Sequence, residues 1–275
     1  MSIVSEKWNE LEETEMDKKL LFFDIDGTLL DEKTGLIPDS AVEAVKKARE
    51  NGHLAFINSG RTASFIGGEV DKIEFDGILA GCGTYIEYQG KVLEHKTLTK
   101  ELQDKVLCLL HECRIDAIVE GRYRNYFDLS EKIWVEEFKE FAEKYPFPCG
   151  TWEDEDIKFD KFFMYKTENS DFEKFYAELS KDFDFIDREQ GFYEVLPKGC
   201  SKANSVRYMV DYLGMSMEDT FSFGDSNNDL PMLECTNVSV GMGNGSKSIL
   251  EKVTFVTKSV EEDGIQYAME HFGLI

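Results

Sequence analysis

The sequence of 275 residues lacks several features that would assign it to a functional class. No apolar run approaches the roughly 20 residues that a membrane-spanning helix needs, and no signal peptide is recognised. Basic residues are scarce, since 31 Lys and Arg stand against 55 Asp and Glu, a net charge of -24. Nucleic acids and anionic membranes bind basic surfaces, so we expect neither as a partner. A small anionic ligand stays compatible, because a few cations or a metal ion reverse the field in one cleft.

The six cysteines include no CxxC pair, which favours free thiols in a reducing compartment and predicts a cytoplasmic protein. Their densest group is Cys108 and Cys113, with His111 between them. This group lies in a segment of helical periodicity, and no second ligand pair follows at zinc spacing. We interpret these residues as core and surface positions rather than a metal site.

Short apolar segments alternate with helical segments in the first and last parts of the chain. Strands that are apolar on both faces and separated by helices predict a parallel sheet covered on both sides. The fold class is therefore α/β, with a Rossmann-like parallel-sheet core. The predicted elements are strands 20–23, 54–58, 77–80 and 220–223, helices 39–52 (capped by Asp39 or Ser40 and ended by Gly52) and 201–214 (capped by Ser201 and ended by Gly214), two further strands, and a closing helix.

The middle of the chain has another pattern, beginning with a two-residue alternation over 84–95 that predicts a hairpin turning at Gln89-Gly90. We interpret 84–197 as an inserted, open-faced α+β domain and 16–83 with 198–275 as the core domain. Residues 1–15 form an acidic N-terminal extension. Within the insertion we predict helices near 100–113, 130–144 and 170–181, and strands near 116–120, 124–128, 159–166, 183–187 and 192–196.

Polar motifs follow the core strands: "DIDGT" from Asp24, "SGR" from Ser59, "KGCSK" ending at Lys202, and "GDSNND" from Gly224. The carboxyl ends of parallel strands meet at one crevice, so these loops can converge. Their acids would repel one another without a cation, and all-oxygen ligands favour Mg²⁺. The acids concerned are Asp24, Asp26, Asp225 and Asp229.

A calcium-binding EF-hand loop is excluded for both acidic motifs. Such a loop needs Gly at its sixth position and Glu at its twelfth. Counting from Asp24, these positions hold Leu29 and Gly35. Counting from Asp225, they hold Leu230 and Thr236.

A carboxylate beside Mg²⁺ can attack phosphorus and form an aspartyl phosphate. Such a transfer needs positive charge, hydrogen-bond donors around the phosphoryl oxygens, and an acid for the leaving oxygen. A metal ion and Lys202 would supply the positive charge. Thr28, Ser59 and backbone amides would supply the hydrogen-bond donors, and a second Asp would supply the acid.

In their order, "DIDGTL", "NSGR", "KGCSK" and "GDSNNDLPML" resemble the motifs of the haloacid dehalogenase superfamily of phosphohydrolases. The insertion is similar to the large cap of its Cof-type branch. The resemblance implies Asp24 as nucleophile and Mg²⁺ ligand, and Asp26 as general acid/base with its carbonyl on the metal. It also implies Asp225 as third metal ligand, and Lys202 as the cation steadying nucleophile and phosphate.

The resemblance further implies a phosphate-binding set and an outer-shell role for Asp229, with Arg61 as a cleft residue. Taken singly, Ser59 could cap a helix, Lys202 could be a surface lysine, and Asp229 could cap the "LPML" helix. Asp31 is interpreted as a turn or surface residue. The phosphate-binding set is Thr28, Ser59, Gly60, Lys202 and Asn228.

These patterns favour a Mg²⁺-dependent phosphatase acting on a small phosphorylated metabolite, with a sugar phosphate as the default. The alternatives are a phosphotransferase or mutase using the same aspartyl phosphate, and an idle binding protein of the same fold. In the insertion, Arg122, Tyr123 and Arg124 are the candidates for substrate specificity. Cys82 stands where relatives usually carry Asn, which puts a substrate or hinge contact there in question.

Overall fold

The computed structural model describes residues 17–128, 149–152, 154, 156–188 and 190–275. Two sheets, of eight and six strands, organise this part of the chain. The predicted extension 1–15 and the predicted helix near 130–144 lie outside the described residues.

The eight-stranded sheet contains all the predicted core strands. Its first six strands in spatial order are parallel, as the apolar pattern predicted, and the last two form an antiparallel hairpin at one edge. In that order the strands are β14 (Phe255–Val256), β13 (Val238–Gly241), β12 (Thr220–Gly224), β1 (Leu20–Phe23), β2 (Leu54–Asn58), β3 (Gly77–Ala80), β4 (Tyr85–Tyr88) and β5 (Lys91–His95).

Helices cover both faces of this sheet, so alternate residues of β1 enter different cores. Leu21 and Phe23 pack with α1 (Asp39–Glu50) and α7 (Gly264–His271). Leu20 and Phe22 pack with α4 (Lys202–Leu213) and α5 (Leu230–Cys235) on the other face. This doubly covered parallel sheet confirms the α/β class. The helices are α1 (Asp39–Glu50), α4 (Lys202–Leu213), α5 (Leu230–Cys235), α6 (Lys247–Leu250) and α7 (Gly264–His271).

The six-stranded sheet carries α2 (Lys100–Glu112) and α3 (Phe172–Leu179) on one face only. The charged residues of its central strands point to the opposite face. The structure thus has the open-faced α+β insertion that the sequence indicated. Its strands in spatial order are β10 (Phe183–Asp187), β11 (Phe192–Pro197), β9 (Lys161–Tyr165), β6 (Asp116–Glu120), β7 (Asn125–Phe127) and β8 (Cys149–Thr151).

The hairpin over 84–95 turns at Gln89-Gly90 as predicted, with positive φ at both residues. Its predicted place in the insertion is wrong, however, because β4 pairs with β3 and extends the larger sheet. Tyr85 and Ile86 are buried there, while the outer strand is partly exposed. An edge hairpin with one buried face shows the same alternation as a strand of a separate open sheet, so the pattern alone could not decide.

The predicted caps of α4 are present, since the Ser201 side chain accepts a hydrogen bond from the Asn204 amide and Gly214 is left-handed. The predicted cap of α1 is absent. Asp39 is already the first helical residue after Pro38, and no side chain caps this end. Within the described ranges, no helix combines the length and apolar character needed to cross a membrane.

Replacing Phe23 by Ala should lower the free energy of unfolding by about 3–5 kcal/mol, because the ring is fully buried. It stacks on Phe223 with ring centroids 4.6 Å apart, so the truncation leaves a cavity in the sheet core. Urea unfolding monitored by circular dichroism measures the loss. Tyr123→Ala is the control, since that ring is 78% exposed and its removal should change stability by less than about 0.5 kcal/mol. Equal losses in both variants would contradict the assigned core.

Candidate active site

Three neighbouring strands deliver polar side chains to one edge of the larger sheet. β1 lies between β2 and β12, and all three run parallel. Asp24 follows β1, Ser59 follows β2, and Asp225 follows β12. The amide of Asp24 donates a hydrogen bond to the carbonyl of Phe223 at 3.0 Å, which continues the ladder up to the first acid.

Gly27 allows the loop after β1 to approach the loop after β12. Its φ is +71°, and a Cβ at this position would lie 2.3 Å from Oδ2 of Asp225. Any side chain would therefore displace Asp225 as well as strain the backbone. Asn244 holds the turn by donating to the Gly27 carbonyl at 2.7 Å.

Lys202 enters the site from the first turn of α4 and is 1% exposed. Its Nζ donates to Oδ1 of Asp24 at 2.6 Å and to Oδ1 of Asp229 at 2.5 Å. Asn58 orients the helix end by donating to the Lys202 carbonyl at 2.9 Å. Burial opposes the charge of Lys202, but Asp229 and Asp24 outweigh it and raise the pKa of the ammonium. The alternative of a surface lysine is therefore wrong.

Asp229 is fully buried and turns its side chain back toward the preceding loop. Its Oδ2 accepts hydrogen bonds from the amides of Asp225 at 3.0 Å and Ser226 at 3.1 Å. It makes no side-chain capping bond to α5, so the alternative role as a helix cap is wrong. Asp229 instead links Lys202 to the loop that carries Asp225.

The carboxylates of Asp24, Asp225 and Asp229 offer ligand atoms within 4.8 Å of one another. Burial and repulsion from Asp229 raise the pKa of Asp24 to about 7 and that of Asp225 to about 8. Oδ1 of Asp225 is buried without a hydrogen-bond partner among the described residues. An unsatisfied buried oxygen within a crowded all-oxygen donor set fits a hard divalent cation. The residues present therefore suit Mg²⁺.

The Asp26 side chain lies apart from this cluster and forms an ion pair with Arg61. Nη2 of Arg61 is 2.5 Å from Oδ1 of Asp26, and Nε is 2.8 Å from Oδ2. Such a two-point contact orients the carboxylate as well as attracting it. The resemblance implied only a general place for Arg61 in the cleft; the structure shows its partner.

The predicted phosphate-binding residues occupy different depths. Ser59, Gly60 and Asn228 line the cavity beside Asp24, and the Arg61 amide donates to Oγ of Ser59 at 3.2 Å. Thr28 is fully buried, and its hydroxyl has no partner within the described ranges. The structure thus brings Ser59, Gly60 and Asn228 to the cavity surface, whereas Thr28 is not among the lining residues.

The cavity has a volume of about 440 Å³ and is bounded by both sheets. The smaller sheet contributes charged residues that sequence reasoning missed. In the sequence these positions look like an ordinary solvent-facing strand surface, so no local signal marks them. They are Glu120, Lys161, Arg188 and Glu194, accompanied by Ile118 and Phe163.

The predicted specificity candidates do not line this cavity. The guanidinium of Arg122 lies 4.7 Å from the Tyr85 ring centroid, and the Tyr123 ring is exposed. Nη1 of Arg124 is 3.6 Å from Oδ2 of Asp154.

Cys82 occupies a tight turn in which Gly81, Cys82 and Gly83 all have positive φ. Its side chain is buried, and Sγ donates to Oε1 of Glu194 at 3.4 Å. Burial and the charge of Glu194 raise the pKa of the thiol, which keeps it protonated and able to donate. The turn therefore links the core to the insertion.

The family model of the haloacid dehalogenase-like hydrolases matches residues 21–269. The chain belongs to this family. The expected resemblance is thus confirmed, and the match spans both sheets.

Three similar proteins align with this hydrolase over nearly their whole lengths. A putative phosphatase of Bacillus subtilis, YkrA, is 29% identical over 94% of this chain and 100% of its own. YwtE of the same organism, a 5-amino-6-(5-phospho-D-ribitylamino)uracil phosphatase, is 26% identical over 92% of this chain and 97% of its own. The solved structure of a sugar phosphatase of subclass IIB superposes with a TM-score of 0.78. It is 25% identical and covers 94% of this chain and 100% of its own.

With a metal chelator present, the melting temperature of the hydrolase should fall as the pH rises from 5 to 8. Unfolded Asp has a pKa near 3.8, whereas Asp24 and Asp225 titrate at about 7 and 8 when folded. The folded state therefore binds more protons than the unfolded state across this window, so stability falls as the pH rises until the folded carboxyls lose their protons too. Asp225→Asn should flatten this dependence, and Mg²⁺ should raise the melting temperature more at pH 8 than at pH 6. Identical pH profiles for the variant and the wild type would contradict the assigned repulsion.

Proposed function

We propose that this hydrolase is a Mg²⁺-dependent phosphatase that acts on a small phosphorylated metabolite through an aspartyl phosphate on Asp24. Membership of a hydrolase family, together with relatives named as phosphatases, supports hydrolysis of a phosphorylated substrate. Mg²⁺, the covalent intermediate and the substrate class are the finer parts of the proposal.

The observation that carries the proposal is the setting of Asp24. It ends the central strand, faces the cavity, and has Oδ1 bonded to the buried Lys202. A rigid carboxylate whose charge is balanced on one side can approach phosphorus without reorganising. Asp24, Asp225 and the Asp26 carbonyl would hold Mg²⁺, which would offset the negative charge of the phosphoryl oxygens.

In the first step, an Asp24 oxygen attacks phosphorus and the ester bond to the leaving group breaks. Ser59 and Asn228 are placed to donate to phosphoryl oxygens, because both line the cavity beside Asp24. The Gly60 backbone adds no side-chain bulk between them. Lys202 favours the ionised form of Asp24, against the rise in its pKa from burial and Asp229, and fixes its orientation through the direct hydrogen bond.

Asp26 would protonate the leaving oxygen and then take a proton from the water that hydrolyses the aspartyl phosphate. A carboxylate bound by two guanidinium hydrogen bonds can only accept. The acid step therefore requires one Asp26 oxygen to turn from Arg61, take up a proton from solvent, and then face the ester. Arg61 serves as a positioning residue that holds Asp26 at the cavity between these events.

We propose that the chain divides into a core domain, 16–83 with 198–275, and an inserted cap that lies within 84–197. Because the hairpin 84–95 pairs with the larger sheet, we place the start of the cap after His95. The cap covers the cavity, limits the size of the leaving group and would exclude bulk water. A sugar phosphate remains the default substrate, which the likeness to a sugar phosphatase supports.

A phosphotransferase or mutase would use the same aspartyl phosphate but pass it to a second acceptor. No particular contact among the described residues favours that acceptor over water. A cytoplasmic location stays our prediction, which the six free cysteines support.

Asp24→Asn should abolish phosphate release from 4-nitrophenyl phosphate with Mg²⁺ while the protein stays folded, because the amide cannot form the phosphoenzyme. Phosphate release and circular dichroism measure the two results. Asp31→Asn is the matched control, since the Asp31 carboxylate bonds Lys33 and Thr34 in a turn of the same segment. Ordinary turnover by Asp24→Asn would refute the nucleophile.

Asp26→Asn should lower kcat/KM for an alkyl phosphate by about 10²–10⁴-fold, the usual contribution of a general acid. The loss should be much smaller for 4-nitrophenyl phosphate, whose leaving group needs little protonation. Steady-state kinetics on both esters give the comparison. Equal losses on the two esters would argue against Asp26 as the acid.

A further inference from the structure

Three charged side chains occupy adjacent strands on the cavity face of the smaller sheet. Lys161 on β9 stands opposite Glu120 on β6, and Glu194 lies on β11 at the other side of β9. Nζ of Lys161 is 2.6 Å from Oε1 of Glu194 and 2.9 Å from Oε2 of Glu120. We call these residues the cap triad.

Stability does not account for the cap triad. Lys161 is 3% exposed and Glu194 is 6% exposed, so both charges are almost wholly removed from water. Buried ion pairs are often no more stabilising than apolar residues of similar volume. An apolar triad would instead leave the cavity wall without hydrogen-bonding groups. The arrangement therefore points to a ligand.

The cap triad also lies close to the phosphate-binding loop. Oε1 of Glu194 is 3.2 Å from the position that a Cβ on Gly60 would occupy. Burial opposes the charge of Glu194, but Lys161, then Arg188 and finally Lys202 outweigh it and lower the pKa of Glu194 to about 2. The first atoms of a leaving group, rather than its distal end, would meet Glu194.

The hydrogen bonds of Glu194 leave one oxygen free. Oε1 accepts from Lys161 and from the Cys82 thiol. Across the described part of the chain, no hydrogen bond reaches Oε2. The Lys161 ammonium has three donors, and the hydrogen bond to Glu194 uses one of them. Oε2 of Glu120 lies 2.9 Å away as an ion-pair partner but has no hydrogen-bond partner among the described residues. An open acceptor therefore lies beside an open donor on the cavity wall.

We propose that Lys161 and Glu194 bind a hydroxyl group on the carbon next to the phosphoester, so that the substrate is a neutral polyol monophosphate. This inference rests on the proposed phosphatase function. A hydroxyl donates to Oε2 of Glu194 and accepts from Lys161, which uses both open positions. A carboxylate or second phosphate at that carbon would face Glu120 and Glu194, and an alkyl group would leave both positions unpaired.

The test compares glycerol 1-phosphate with n-propyl phosphate, with 4-nitrophenyl phosphate as the measure of basal chemistry. The wild type should prefer glycerol 1-phosphate by at least about 10-fold in kcat/KM, since a site built to bond a hydroxyl rejects the analogue without it. Glu194→Gln keeps the shape of the side chain and should reduce kcat/KM for glycerol 1-phosphate by about 10–100-fold. This loss should exceed the loss on either of the other two esters by at least about 10-fold.

Lys161→Met should give the same selective loss, and thermal melting reports whether it folds. Lys174→Met is the matched control, because Lys174 pairs with Glu112 at 2.8 Å on the exposed side of the cap. Glu194→Gln and the wild-type preference test the inference even if Lys161→Met unfolds.

Equal losses on all three esters would assign the cap triad a structural role and overturn the inference, as would a wild type that does not discriminate glycerol from propyl phosphate. Absence of hydrolysis of every ester with Mg²⁺, by a folded wild type, would instead overturn the proposed phosphatase function and the inference that rests on it.

Discussion

The ammonium of Lys202 is the contact around which the core of the site is arranged. It is buried, bonds Asp24 and Asp229 directly, and reaches the Asp225 loop through the second oxygen of Asp229. Removing one partner of a buried ion pair typically costs about 3–5 kcal/mol, because a charge is then left unpaired. One lysine on α4 thus joins the loops after β1 and β12. It still leaves the acids in excess, and that excess is what suits the site to a divalent cation.

The two sheets differ in how many of their faces are covered by helices. The larger sheet has helices on both sides, so its central strand β1 is wholly apolar and the acids Asp24 and Asp225 occur where β1 and β12 end. The smaller sheet has helices on one side, and its other face can carry charge toward the cavity. The acids that we propose for the reaction therefore lie at strand ends, whereas the residues that we propose for recognition of the leaving group lie on a strand surface. Cys82, in its left-handed turn, connects the two by donating to Glu194.

Much of the fold could be predicted because its signals are local. The apolar runs predicted the core strands, and Ser201 and Gly214 marked the ends of α4 through their capping chemistry. Strand ends followed by acids predicted which loops meet. The hairpin at 84–95 was assigned to the wrong unit, since alternation records one buried face without naming the sheet. The sequence likewise could not predict the two partners of Lys161. Glu120 and Glu194 are distant from Lys161 in the chain and contact it only because their strands lie on either side of its own.

The sequence by itself determined the chemical groups and their order: two acids after an apolar strand, a serine after the next, a lysine entering a helix, and a final acidic loop. Short-range rules suffice for these, because a strand, a turn and a cap depend on neighbouring residues. Tertiary structure alone decided which charges became partners. Arg61 bonds Asp26, Asp229 turns back to its own loop rather than capping α5, and Arg122 packs against Tyr85 outside the cavity. Electrostatic pairing depends on distance in space and on exclusion of water, and neither can be predicted from the spacing of residues along a chain.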